Sequence, residues 1–303
     1  MAEVATFATS DQLLIVIDPA ARRTDAESVR IAKDVLSAGA ATKVCLPEGP
    51  EEFARVLARR GSRRPVLVGD DRALMRAVSL LHRQRELAGC ALSMVPVGGG
   101  LSLAGALGVP TGAVAAARAV LDGVVRRMDL LVDDSDGVVL GALRIPSLPP
   151  MREAPPVDQE EAVTASSSSS SGSGSAHASW LRTCQSLVRT LVPVRPSREP
   201  LARVNRLGPA RLRVEVDGVT LVDLDQPVEG VSVTPGASGL AEVVVRPVSV
   251  GAEASPLCAR GRSVTVSGAD FRYRADAVVA GPVRTRTWVV REGAWGLTLP
   301  IPS

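Results

Sequence analysis

The sequence has few aromatic residues and almost no lysine. Its 303 residues include three Phe, three Trp and one Tyr, so the aromatic fraction is 2% while the hydrophobic fraction is 46%. Lysine occurs only at Lys33 and Lys43, and arginine supplies the other basic side chains. With 35 basic and 32 acidic residues and no long basic run, the chain lacks both the charge and the aromatic stacking surface of a nucleic-acid-binding protein. We therefore expect no nucleic-acid partner.

Cysteine and histidine are also sparse. The four cysteines form no Cys-x-x-Cys pair, and only two histidines accompany them. A zinc site usually needs four such ligands at characteristic spacings. The distribution instead predicts buried free thiols in a reducing compartment, and the sequence defines no metal site.

Long apolar runs are absent as well. No stretch approaches the roughly 18–20 apolar residues that span a bilayer, and residues 1–12 lack the basic and apolar regions of a signal peptide. We therefore expect a cytoplasmic protein. Peripheral contact with a membrane surface stays open, although a net charge of +3 gives only a weak attraction to anionic lipids.

The first half of the chain alternates short apolar runs with helical patterns. Strands are predicted at 13–17, 42–46, 65–68 and 92–96, and helices at 25–38, 50–60, 72–83 and 111–123. The first helix can be capped by Thr24 or Asp25. This order predicts a Rossmann-like α/β domain over residues 11–146, with a parallel sheet covered by helices on both faces.

Ligands of such sheets bind at the carboxyl ends of the strands. Those ends carry the segments Asp18-Pro19, Gly69-Asp70-Asp71 and Gly98-Gly99-Gly100. Asp71 has two interpretations, as a functional carboxylate and as the N-cap of the following helix. The glycines likewise fit either a phosphate site or a tight turn between strand and helix.

The remaining chain has a different composition. Residues 147–178 are rich in Pro, acidic residues and then Ser and Gly, which predicts a disordered linker. An amphipathic helix is predicted at 179–193. From residue 211 the apolar residues alternate, with a hairpin of strands predicted at 212–218 and 219–224 around an Asp-Gly turn. Further strands are predicted at 241–248, 262–267, 270–277 and 283–290. We expect a β-sandwich domain, so that residues 179–303 hold the helix and the sandwich.

The order and spacing of these segments resemble the lipid kinase family that includes diacylglycerol, sphingosine and ceramide kinases, whose first domain has an NAD-kinase-like fold. The resemblance covers about residues 11–146 and 205–300, and no single motif is intact. The family has Asn-Pro after its first strand, then Gly-Gly-Asp-Gly-Thr, then Pro-x-Gly-Thr-x-Asn-Asp before an Ala-x-x-Leu-Gly-Ile-Pro helix. The matching residues are Pro19, Gly69, Asp71, Pro96, Gly98, Gly100, Ala104, Leu107, Gly108 and Pro110. Residues 128–134 resemble the strand that leaves the family's first domain.

Several motif positions carry other residues. Asp18 replaces the Asn; Asp70, Arg72 and Ala73 replace Gly, Gly and Thr; Gly99, Leu101 and Ser102 replace Thr, Asn and Asp. Asp70 puts a second negative charge beside Asp71, where the family's turn meets phosphate through backbone N–H groups. These substitutions predict weak binding of ATP.

The resemblance continues in the second half. Asp217-Gly218 resembles an Asp-Gly hairpin of the family, and Asp276 lies near a second one. The family's proposed catalytic aspartate falls at Ser238, whose hydroxyl cannot accept a proton as a carboxylate does. Glu242 is a candidate substitute four residues later.

The resemblance implies that the chain is a degenerate lipid kinase. We expect a non-catalytic protein that binds a lipid, a nucleotide or a partner protein, with Asp18, Pro19, Gly69, Asp71, Gly98, Gly99 and Gly100 forming the nucleotide side of the cleft. One alternative is an active lipid kinase that uses ATP and Mg²⁺ to phosphorylate a lipid hydroxyl. Another is a structural or regulatory protein without a ligand, acting as a homodimer or with another protein.

Overall fold

The structure is a computed structural model that describes residues 12–146, 209–236, 238–248 and 255–301. The predicted linker at 147–178 and the predicted helix at 179–193 lie outside the described residues. All described residues fall within one compact unit of the chain.

Six helices are present in the part of the chain that the structure describes. They are α1 (Pro19–Thr24), α2 (Ala26–Gly39), α3 (Pro50–Ala58), α4 (Asp71–Arg83), α5 (Ser102–Ala106) and α6 (Ala113–Asp122).

The described residues also contain fourteen strands. They are β1 (Gln12–Ile17), β2 (Ala41–Cys45), β3 (Arg64–Gly69), β4 (Ala91–Pro96), β5 (Val124–Asp133), β6 (Val138–Val139), β7 (Leu143–Ile145), β8 (Leu212–Val216), β9 (Val219–Val222), β10 (Val228–Pro235), β11 (Ala241–Pro247), β12 (Leu257–Gly261), β13 (Ser263–Ala275) and β14 (Val278–Leu299).

The first four strands form a parallel sheet in the order β2-β1-β3-β4, which confirms the predicted parallel sheet. Successive side chains of a strand point to opposite faces, and both faces of β1 are buried. Leu14 and Val16 join a core with α3, α4 and α5, while Leu13, Ile15 and Ile17 join a second core with α2 and α6.

The chain forms a short helix directly after β1, where no helix was predicted. Pro19 occupies the first turn of α1, and the Asp18 carboxylate accepts a hydrogen bond from Ala20 N–H at 2.8 Å. Proline suits this position because its ring fixes a helical φ and it has no N–H to satisfy. At the next helix the cap is Asp25, whose side chain accepts from Ser28 N–H.

The second half is rich in strands, as the alternating apolar pattern predicts. Strands β8, β10, β11 and β13 bury every second residue over most of their length, and these residues share one core with Trp288. Two predicted strands, 262–267 and 270–277, are one continuous strand, β13, with irregular pairing to β14. Four strands were not predicted: β6, β7, β10 and β12.

The longest strand joins the two halves of the fold. β14 pairs with β13 near its start, whereas Gly296 and Leu297 pair in parallel with Ala91 and Leu92 of β4. Residues 288–291 and 295–299 of the same strand also pair antiparallel with β5. The described residues therefore form one mixed sheet of 14 strands.

Two smaller expectations can be compared with the structure. Cys45, Cys90 and Cys258 are free thiols, but Cys258 is exposed and Cys45 is half-buried, so among these three described cysteines the expectation of burial holds only for Cys90. No helix among the described residues is long and apolar enough to cross a membrane.

Candidate functional site

The structure brings together the three turns that the sequence placed at the carboxyl edge of the sheet. Asp18 N–H donates to the carbonyl of Val68 at 2.9 Å, and Val97 N–H donates to the carbonyl of Gly69 at 2.9 Å. The ends of β1, β3 and β4 therefore lie side by side. This adjacency follows from parallel pairing of neighbouring strands.

Glycine is required at two positions of this edge, at one by the close approach of its neighbours and at the other by its backbone conformation. A Cβ atom at Gly69 would lie 2.8 Å from the Cβ of Ala73 and 3.0 Å from the Cβ of Asp18, closer than packed carbon atoms approach. Gly98 has a φ of +118°, which residues with a side chain rarely adopt.

The next two glycines border open space. A Cβ atom at Gly99 or Gly100 would meet nothing within 4 Å, and Gly99 is exposed. These two positions leave room for a ligand at the turn.

Asp70, rather than Asp71, is the N-cap of α4. Its side chain accepts a hydrogen bond from Ala73 N–H at 3.1 Å. The alternative that Asp71 caps this helix is therefore wrong. Asp70 does lie beside Asp71, but its carboxylate is bonded to the start of its own helix.

Asp71 instead stabilises the start of α5. Its buried carboxylate accepts hydrogen bonds from Leu103 N–H at 2.8 Å and Ala104 N–H at 3.0 Å, and from the Ser102 hydroxyl at 3.3 Å. Its own N–H donates to the carbonyl of Gly100 at 2.8 Å. The glycine turn is thereby fixed to the start of α4.

Both helix starts at this edge therefore already have an anionic partner. A helix start attracts phosphate through free N–H groups and the positive end of its dipole. Here the carboxylates of Asp70 and Asp71 accept from Ala73, Leu103 and Ala104. These N–H groups are not available to a nucleotide phosphate, so the residues present do not fit ATP at these two helix starts.

Asp18 is held by an ion pair. Its buried carboxylate caps α1 and also accepts a hydrogen bond from Nη1 of Arg76 at 2.7 Å. The guanidinium of Arg76 lies 5.3 Å from the centre of the Phe53 ring. Asp18, which stands at the position of the family's Asn, is thus neutralised within the protein, and Pro19 forms part of the first turn of α1.

Ser238 lies in the turn between β10 and β11. It is exposed and has a φ of +67°. The adjacent Gly239 N–H donates to Oδ2 of Asp129 at 2.8 Å, and Gly293 N–H donates to Oδ1 of the same carboxylate at 2.7 Å. This turn is therefore fixed to β5 and β14.

Glu242 forms an exposed ion pair with Arg260 at 2.6 Å. The described contacts of residues 238, 239 and 242 do not include the turns at the carboxyl edge of the parallel sheet. The sequence analysis assigned Ser238 to the position of the family's catalytic aspartate and Glu242 as its substitute, and both assignments stay predictions.

A cavity of about 560 Å³ lies beside α4 and was not predicted from the sequence. One wall is a face of α4, and the others come from the β5–β6 turn and the hairpin of β13 and β14. Its lining residues are Arg72, Met75, Arg76, Ser79, Asp133, Gly137, Val138, Val139, Tyr273, Ala275, Ala277, Val278, Val279 and Ala280. The helical spacing of Arg72, Arg76 and Ser79 puts them on one face of α4, and this was the one sequence signal for the cavity.

The polar groups of this cavity are linked to each other. The Tyr273 hydroxyl donates to Oδ2 of Asp133 at 3.3 Å, and burial together with the charge of Asp133 raises the pKa of Tyr273. Burial acts to raise the pKa of Asp133 too, but hydrogen bonds from Ser135 and Gly137 outweigh it and lower that pKa.

Asp276 joins the hairpin beside the cavity to the segment after β6. Its carboxylate accepts from the N–H groups of Leu140 at 2.7 Å, Gly141 at 2.8 Å and Ala142 at 2.8 Å. Burial nevertheless raises the pKa of Asp276, and the charge of Asp71 adds to the rise. The two carboxylates are therefore close enough to interact.

No group of three or more His, Cys, Asp or Glu side chains among the described residues could hold a metal ion.

Solved structures that resemble this chain include proteins of Bacillus anthracis str. Sterne. One, assigned as a diacylglycerol kinase, superposes with a TM-score of 0.64 at 11% identity and covers 95% of this chain and 97% of its own. A second, a diacylglycerol kinase, has a TM-score of 0.62 with the same identity and coverage. No family model matches the sequence, and no curated protein matches it. At this identity the likeness concerns the fold, and it confirms the resemblance: the chain has a diacylglycerol-kinase-like fold.

Proposed function

We propose that this chain is a non-catalytic binding protein built on a lipid kinase fold. The observation that carries the proposal is the carboxylate of Asp70, which replaces a glycine of the family's motif and occupies the start of α4. In this proposal residues 11–146 form the nucleotide-binding-type domain, the strand-rich half forms the second domain, and the ligand lies in the cavity beside α4.

Phosphoryl transfer depends on positioned phosphates and on neutralised charge. The Asp70 carboxylate at the carboxyl edge acts against both requirements, because it uses an N–H donor of α4 and adds negative potential. Of Asp18, Asp70 and Asp71 at this edge, only Asp18 forms an ion pair, with Arg76. A triphosphate would therefore have to displace hydrogen bonds that already stabilise the fold.

The second observation that supports the proposal concerns the residues that would activate the lipid hydroxyl. Ser238 is a neutral hydroxyl and cannot act as the general base that removes a proton from a lipid alcohol. Glu242 carries a carboxylate, but it is paired with Arg260. Loss of a general base typically lowers a rate by about 10²–10⁴-fold.

A second candidate function is an active, ATP-dependent lipid kinase with Mg²⁺ as cofactor. The observation in its favour is the open space beside Gly99 and Gly100. A phosphate could approach the backbone there without meeting a side chain.

A radiolabelled-ATP assay over several lipid alcohols separates the two candidates. We expect the unmodified protein to turn over below about 0.1 per second, compared with roughly 1–100 per second for typical kinases. Ser238→Asp should not restore turnover, because the helix starts are unchanged. Turnover above that level would support the kinase instead, and its abolition by Glu242→Gln would identify the base.

A further inference from the structure

The cavity beside α4 combines an apolar wall with a cationic rim. Its volume of about 560 Å³ lies in the range of small-molecule sites. The apolar lining residues are Met75, Val138, Val139, Ala275, Ala277, Val278, Val279 and Ala280. As a deepening of the function proposed above, on which this inference rests, we propose that the cavity binds a single-chain amphiphile with an anionic head.

Arg72 is the residue that would hold the head group. It is exposed, and none of the hydrogen bonds or ion pairs found among the described residues involves its side chain. A guanidinium binds carboxylate or phosphate through two parallel hydrogen bonds. Arg76 lines the same side, but its charge is already used by Asp18, so it adds less to recognition.

The other polar groups of the cavity favour an apolar chain rather than a polar ligand. The hydroxyl of Tyr273 already donates to Asp133, and the Asp133 carboxylate accepts from Ser135 and Gly137. A polar ligand would find few free donors here. The negative charge of Asp133 would also keep an anionic head at the Arg72 side.

The hairpin between β13 and β14 supplies an apolar entrance to the cavity, which suits an alkyl chain. Val278 is 52% exposed and Val279 is 47% exposed, and both line the cavity. Adjacent exposed apolar side chains often mark a binding surface. An alkyl chain that enters past this hairpin would cover both side chains and gain the free energy of apolar burial.

The test uses the purified full chain and three probes in isothermal titration calorimetry. Dodecyl phosphate, kept below its micelle concentration, should bind saturably at one site. Dodecanol, which has the same chain without the charge, should bind at least about tenfold more weakly, as expected for loss of a charged hydrogen bond. Inorganic phosphate alone should not bind.

Two arginine variants locate the head group. Arg72→Gln should weaken dodecyl phosphate binding by roughly tenfold. Arg83→Gln is the matched control, because Arg83 is an exposed arginine on the same helix that does not line the cavity. Ala277→Trp should remove binding by filling the cavity, with circular dichroism as the check that it folds.

Several results would overturn the inference. Equal affinity for dodecanol, or an unchanged affinity in Arg72→Gln, would exclude an anionic head at Arg72. Binding of phosphate alone with the same affinity would mean that the chain plays no part. Displacement of dodecyl phosphate by Mg-ATP would assign the cavity to a nucleotide. Lipid phosphorylation would overturn the proposed function and leave this binding result standing, whereas absent dodecyl phosphate binding would overturn only this inference.

Discussion

The backbone N–H of Leu103 donates a buried hydrogen bond of 2.8 Å to the carboxylate of Asp71, which lies 32 positions earlier in the sequence. The same carboxylate accepts from Ala104 and Ser102. The side chain of Asp71 thus joins the start of α4 to the start of α5, and its backbone N–H joins both to the glycine turn.

Asp71→Ala should lower the free energy of unfolding by about 3 kcal/mol, because it leaves buried N–H groups without an acceptor. Urea denaturation measures the change. Asp34→Ala is the control, since Asp34 forms only exposed ion pairs on α2, and it should change stability by less than about 0.5 kcal/mol. Equal effects of the two variants would contradict the role given to Asp71.

The glycines of the carboxyl edge should differ in their tolerance of alanine. Gly69→Ala puts a methyl group against Ala73 and Asp18 and should cost about 1–3 kcal/mol of stability. Gly99→Ala meets nothing within 4 Å and should be nearly neutral. Thermal unfolding of both variants tests the contrast, and a large loss in Gly99→Ala would show that this turn is packed.

Two carboxylates should give opposite pH dependence of stability. The pKa of Asp276 is raised above 3.8 by burial, so its proton is bound more tightly in the folded chain, and its favourable contribution is lost as pH rises through the folded pKa. The pKa of Asp133 is lowered because hydrogen bonds from Ser135 and Gly137 outweigh burial. Its contribution is therefore present above 3.8 and lost as pH falls through the folded pKa.

Urea denaturation from about pH 3 to pH 7 on the wild type, Asp276→Asn and Asp133→Asn tests this pair. The stability difference between the wild type and Asp276→Asn should fall with rising pH, and the difference from Asp133→Asn should rise. Two differences with the same sign of slope would disprove the assignment.

Mg-ATP should show no saturable binding in the micromolar range by calorimetry. The double variant Asp70→Gly, Arg72→Gly should bind more tightly, because it removes a carboxylate and a bulky side chain from the turn. The double variant Asp34→Ala, Arg83→Ala makes the same change of charge away from the cleft and should behave as the wild type. Micromolar binding by the wild type would refute the expectation.

Local patterns predicted the parallel half of the fold well. The apolar runs of β1, β3 and β4 and the Asp25 cap of α2 are encoded within a few residues. The carboxyl edge followed from the general rule for parallel sheets, so Asp18, Gly69 and Gly98 were placed together correctly.

Non-local relationships were not predicted. The sequence gives no sign that Asp71 caps α5, because its donors lie 32 and 33 positions away. β10 was missed since Gly230 interrupts its alternation and the pairing with β11 shifts there. The cavity was missed because its walls come from three separate segments of the chain.

The last strand has a consequence for how this chain folds. The buried hydroxyl of Ser93 in β4 donates to that of Thr298 in β14 at 2.8 Å, across 205 positions of sequence. Contacts of such separation form slowly, because a long loop must close before they contribute. Until residues 295–299 arrive, β4 is an unpaired sheet edge beside an incomplete core, and such edges recruit strands from other molecules. Expression of the α/β half alone should therefore yield aggregates, and adding the β14 sequence in trans should compete with that aggregation.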